Sequence, residues 1–148
     1  MNVAEFIFGK RRRDVIDEAR DDMDWRHARP KPSPPVRAWL AETDCSVETG
    51  QGPLKARGGK DYIIAYGAGD RAVVRRDIFE RTYAPAGAGA YVKRTDVVLR
   101  YFVLQNSAVV ETLEGPQRAE AGDWVMQGVA GELWPVPAAK ALLKYDPI

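Results

Sequence analysis

The sequence predicts a β-rich α+β fold built from two small tandem units, preceded by an N-terminal helix. Three observations lead there: a repeat of turn residues at a fixed offset, strand-like segments bounded by glycine and proline, and a charged opening with helical spacing. At 148 residues, with 45% hydrophobic and 29% charged side chains, the chain has the composition of an ordinary globular protein.

In the opening segment, Val15, Ile16, Ala19 and Met23 recur at helical spacing. The pattern predicts a helix over 12–27 whose narrow apolar stripe docks on another surface. Its basic start and acidic middle oppose the helix dipole, so docking has to stabilise it. Pro30, Pro32, Pro34 and Pro35 then read as an extended spacer, because proline lacks a donor and disfavours helix.

From Val36 the texture becomes strand and turn. Strands are expected at 36–42, 46–49, 61–66 and 71–75, followed by a short helix at 76–81. The Gly/Ala-rich stretch 84–90 reads as a flexible connector. A second series is expected at 97–105, 109–113, 123–127 and 132–136, with a helix at 138–143 and an extended end.

The two series register on one another. Val47-Glu48-Thr49 falls on Val110-Glu111-Thr112, and Gly52-Pro53 on Gly115-Pro116. After one extra residue near Gly58, Asp61 falls on Asp123, Tyr83 on Tyr145 and Pro85 on Pro147. The organisation read from this is an arm and proline-rich linker at 1–35, a first repeat at 36–86, a linker at 87–96 and a second repeat at 97–148. A unit of about fifty residues buries little apolar surface alone. The copies are therefore expected to pack as a pseudo-twofold pair around a shared core, with Trp39, Phe102, Tyr62, Trp124 and Trp134 as its bulky members.

The segments VETLEGP (110–116), AGDWVMQGVAGELWPV (121–136) and KYDPI (144–148) resemble a small bacterial and phage family named for a Pro-Gly-Asp-Tyr-Gly motif. Ala121 stands at that motif's proline, Trp124 at its aromatic and Val125 at its final glycine. The resemblance is close over 97–148, loose over 36–86 and absent before. It implies a β-rich fold and supplies no activity.

No catalytic or metal-binding signature is present. Cys45, the only cysteine, excludes an internal disulfide and a multi-cysteine zinc site. His27 sits in the charged arm with nothing placed to orient it as a base for Cys45. With 22 basic and 21 acidic residues, the net charge of +1 gives no global attraction to nucleic acid or acidic membranes. The basic cluster Lys10 to Arg13 is offset at once by Asp14, Asp17, Glu18, Asp21 and Asp22. No apolar run reaches membrane-spanning length, the apolar start is too short for a signal core, and a lone thiol fits a reducing cytoplasm.

The expected function is a non-enzymatic binding or assembly module without a cofactor, its N-terminal helix engaging a protein partner or a second copy. The alternative is a small hydrolase or anionic-ligand-binding protein with a site between the repeats. Ligand-binding candidates are Arg37 and Arg100, which correspond in the two copies, Asp70 and Glu132, which also correspond, and Trp134 near a strand end. Arg37 and Arg100 are also expected to pair with Glu48 and Glu111 across neighbouring strands.

Overall fold

The computed structural model describes residues 15–148 and is mostly β, with fifteen strands and two seven-residue helices. It divides into two units. Unit 1 joins the described residues up to Lys31 to 98–148, and unit 2 is the continuous segment 32–97.

In unit 1, β2 (Arg26–Pro30), β10 (Leu99–Val103), β13 (Trp124–Gln127), β14 (Leu133–Val136) and β15 (Tyr145–Pro147) form one sheet in the order β14-β13-β10-β2-β15. A ribbon of β11 (Ala108–Thr112) and β12 (Gly115–Ala119) lies with it, and β1 (Val15–Ile16) adds to β11 in parallel. Helix α2 (Ala138–Lys144) leads into β15. In unit 2 the sheet order is β7 (Arg71–Arg75), β6 (Asp61–Ala65), β3 (Val36–Leu40), β9 (Ala90–Lys93) and β8 (Tyr83–Gly87). Its ribbon is β4 (Cys45–Thr49) with β5 (Gly52–Ala56), and helix α1 (Arg76–Thr82) leads into β8.

The expected N-terminal helix is not there. Within its span, Val15–Ile16 and Arg26–Pro30 are strands; residues 12–14 and the basic cluster Lys10 to Arg13 lie outside the described residues. The fold is therefore not α+β with a helical arm. Ile16 and Met23 do face a core, but as an extended crossing rather than a helical stripe: Ile16 is buried and Met23 packs on the same cluster. Pairing with β11 gives Val15 and Ile16 main-chain partners across strands in place of helical ones.

The two units share hydrogen bonds at matching turns. Thr49 and Thr112 each donate a hydroxyl hydrogen bond of 2.7 Å to the carbonyl of Gly52 or Gly115, closing equivalent hairpins. The Arg57 and Glu120 N–H groups each donate to a carboxylate oxygen of Asp61 or Asp123 at 2.8 Å, the turn role open to an Asp before a strand. The correspondence also starts a strand earlier than the turn residues indicate. Val36 pairs with Tyr91 as Leu99 pairs with Ala28, and Tyr83 pairs with Lys93 as Tyr145 pairs with Pro30. Strand β9 thus occupies in unit 2 the place that β2 occupies in unit 1. The segments expected as an arm and a linker each contribute a strand, and that strand belongs to the sheet of the other series. The unit boundary still falls at Lys31 and Pro32, inside the proline run.

Each described core cluster lies within one unit. Under the unit 2 sheet, Phe79 stacks between Tyr62 at 4.0 Å and Tyr83 at 4.8 Å, with Tyr91 edge-on at 5.0 Å. In unit 1, Tyr101 stacks on Trp124 at 3.8 Å. Ala38, Phe79 and Tyr91 correspond to Tyr101, Ala141 and Ala28, so the large side chains stand at different positions in the two cores.

Candidate functional site

Side chains opposite one another on adjacent strands share a face. On the unit 2 sheet, Arg37, Ala65 and Arg71 stand in one cross-strand row, and Trp39, Ile63 and Val73 in the next. The β4–β5 ribbon covers the inner part of this face, where Ile63 and Val73 join Ala41, Val47 and Ala56. The row of arginines lies beyond it. Trp39 is 40% exposed, with the Arg71 guanidinium 5.3 Å from its ring centroid. Arg37 is exposed and donates from Nη1 to the Ala88 carbonyl at 3.0 Å, in the turn between β8 and β9.

Trp39 is thus not the core residue that its aromatic character predicts. Its strand alternates, so Ala38 points into the core while Arg37 and Trp39 share the open face. Among the described residues neither Arg37 nor Arg71 is in an ion pair, and β4 pairs only with β5. An exposed indole beneath the Arg71 guanidinium, on a face it shares with Arg37, offers a stacking surface with positive charge.

Unit 1 has the equivalent face in a different state. Arg100, Gln127 and Leu133 form the row matching Arg37, Ala65 and Arg71, and Phe102 stands where Trp39 does. Here the face is covered by residues 15–25. Ile16 packs in the cluster with Phe102, Val110 and Leu133; Trp25 meets Phe102 edge-on at 5.1 Å and lies 4.0 Å beneath the Arg100 guanidinium. Arg100 also donates from Nε to Oε1 of Gln127, and Trp25 donates from Nε1 to the Arg20 carbonyl at 2.8 Å. Phe102 is 7% exposed as a result. The corresponding arginines are therefore not tied to Glu48 and Glu111 in either unit.

The other sequence-derived candidates have local roles. Glu132 accepts the Ala130 N–H at 3.0 Å, folding over Gly128 in the β13–β14 turn. Asp70 is exposed in the matching turn, where its carbonyl accepts the Tyr66 N–H at 2.8 Å. Trp134 is half-buried opposite Met126 and hydrogen-bonds Tyr145; burial pushes the Tyr145 phenol up. His27 is exposed on β2 of unit 1, and Cys45 is exposed on β4 of unit 2. Arg71 was missed by sequence reasoning, since its match in the second series is Leu133 and only strand register puts it beside Trp39.

Asp61 carries the strongest electrostatic arrangement outside this face. Arg57 donates to it from Nε and Nη2 at 2.9 Å and from its backbone N–H at 2.8 Å. The guanidinium hydrogen bonds hold its carboxyl below the usual carboxylate range against the opposing effect of burial. Both partners belong to one tight turn, so the pair serves architecture. Among the described residues no group of His, Cys, Asp or Glu is arranged to hold a metal, and no helix is long and apolar enough to cross a membrane.

In comparisons with known proteins, no family model, curated protein or solved structure matches the chain.

Proposed function

We propose that the chain is a non-enzymatic binding module, and that the open face of unit 2 is its ligand-binding surface. The observation that carries this is the unequal treatment of two equivalent faces. The chain covers Phe102 and stacks an indole under Arg100, yet leaves Trp39 exposed beneath Arg71 on the face it shares with Arg37. A large aromatic exposed beside arginines has the composition that dominates binding energy at interfaces. Its side chains supply stacking, positive charge and a strand edge, the means of recognition rather than of bond-breaking.

The test is a titration of isotopically labelled full-length protein with short peptides, oligonucleotides and inorganic phosphate, following the Trp39 indole resonance. Saturable movement of that resonance by any one probe supports the reading. If no probe moves it at millimolar concentration, the surface is not a binding site.

A further inference from the structure

Unit 1 displays an occupant on the face that unit 2 leaves open, and that occupant is a stretch of extended chain. Val15 and Ile16 pair in parallel with Val109 and Val110 of β11. Nine residues after Ile16, Trp25 supplies a ring that sits edge-on to Phe102 and under Arg100. Between them lie Asp17, Glu18, Asp21, Asp22 and Asp24 with one base, Arg20.

Each point of attachment has an equivalent in unit 2. Ser46 and Val47 on β4 match Val109 and Val110, Trp39 matches Phe102, and Arg37 matches Arg100. Among the described residues no chain segment covers this face. The position matching Trp25 is Ala88, in the turn between β8 and β9, and Arg37 reaches the backbone of that turn instead of an indole. The ribbon also differs in the direction an open edge requires. Cys45 is exposed where its match, Ala108, is buried. Arg71 stands where unit 1 has buried Leu133, which adds a second guanidinium outside any ion pair among the described residues.

We infer that the open face of unit 2 binds an extended acidic segment of a partner protein, carrying an aliphatic pair for the β4 edge and an aromatic ring for Trp39 and Arg37. This rests on the binding reading above and adds the class of ligand. The aliphatic pair adds in parallel beside Ser46 and Val47, giving main-chain hydrogen bonds to an edge that β5 leaves unpaired. The ring meets Trp39 edge-on and the Arg37 guanidinium face-on, as Trp25 meets Phe102 and Arg100. The acidic residues between face Arg37 and Arg71, which give register and rate of association more than affinity.

The probe is an end-blocked, dye-labelled peptide with the sequence of residues 15–25, added to the full chain and read by fluorescence anisotropy and by the Trp39 indole resonance. The chain's own segment holds the unit 1 face intramolecularly, at an effective concentration of about millimolar, so free peptide reports on unit 2. Saturable binding is expected, weakened about tenfold in Trp39→Ala. A double Arg37→Gln/Arg71→Gln variant is expected to weaken it several-fold and to flatten its salt dependence. All these side chains are exposed, and thermal melts of the variants verify their folding.

Binding that Trp39→Ala leaves unchanged overturns the inference, because the peptide then sits elsewhere. An oligonucleotide or phosphate that moves the Trp39 resonance when the peptide does not also overturns it, while the binding reading stands. Self-association by light scattering that Trp39→Ala abolishes would identify a second copy as the occupant, with the same consequence. If no probe moves Trp39, both fall.

Discussion

Replacing Trp25 with alanine separates a side chain that covers a face from one that leaves it open. Trp25 makes an edge-to-face contact with Phe102 at 5.1 Å, supports the Arg100 guanidinium at 4.0 Å and donates a 2.8 Å hydrogen bond to the Arg20 carbonyl. An aromatic pair contributes about 0.5–1.5 kcal/mol, a cation–π contact about 0.5–1 and a neutral hydrogen bond about 1. The three share one ring and are not additive, so the expected loss for Trp25→Ala is about 2–3 kcal/mol. In a unit of this size that lowers the melting temperature by roughly 10–20 °C. Trp39→Ala removes a ring of the same kind from an open face and is expected to cost under about 1 kcal/mol. The assay is thermal unfolding followed by far-UV circular dichroism, which does not depend on tryptophan emission. Equal melting temperatures for the two variants would refute the argument, since the faces would then be equally covered or equally open.

Asp61→Asn is expected to destabilise by about 1.5 kcal/mol near neutral pH, the lower part of the range for hydrogen bonds to a charge because Arg57 is half in water. The Asp61 carboxyl is held below its ordinary range, so its contribution is complete above about pH 4 and is lost as pH falls through the depressed value. Denaturant melts should therefore show the gap to wild type constant from pH 5 to 8 and closing in stronger acid. A gap that widened on acidification would contradict the assignment. Gly58→Ala places a methyl 2.8 Å from the Thr43 Cα and 2.9 Å from the Glu42 carbonyl, both backbone atoms, and is expected to cost about 1–3 kcal/mol. Gly50→Ala meets nothing within 4 Å and should be nearly neutral, so the same melts compare the two positions. Cys45 is exposed and should react with an aromatic disulfide reagent in the folded protein; slow reaction until denaturant is added would show that the β4 edge is covered.

Much of the fold could be read from turns. Thr-x-x-Gly-Pro hairpins, an Asp before an aromatic strand and a short helix running into Tyr recur because each solves a local backbone problem. Strands β5 and β12 were less visible, since Gly52–Ala56 and Gly115–Ala119 carry few β-branched residues and are held by their ribbon partners. Strand β9 hides after a Gly/Ala stretch, and the β2 pairing with β10 and β15 joins residues far apart in sequence, which periodicity does not encode. The opening segment misled because two adjacent aliphatic residues and a methionine seven positions on fit a helical stripe as well as an extended crossing. Arg37 was legible as a matched residue, but the face it shares with Trp39 and Arg71 exists only once strand register is known.

The placing of β2 in the sheet of unit 1 has a consequence for biosynthesis. Unit 2 has all its strands once the ribosome has passed Lys93, and its contacts are comparatively local. Strand β2 is made before any strand of unit 2 but finds its partners only when Leu99 and, later, Tyr145 have emerged. Its long wait brings the entropic delay of distant pairing and exposes an unsatisfied strand edge to neighbouring chains. Arg26, Arg29 and Lys31 with Pro30 and Pro32 are the residue types that keep such edges from recruiting other strands. The cations and prolines in and beside β2 therefore stand on a strand whose backbone partners lie far along the chain.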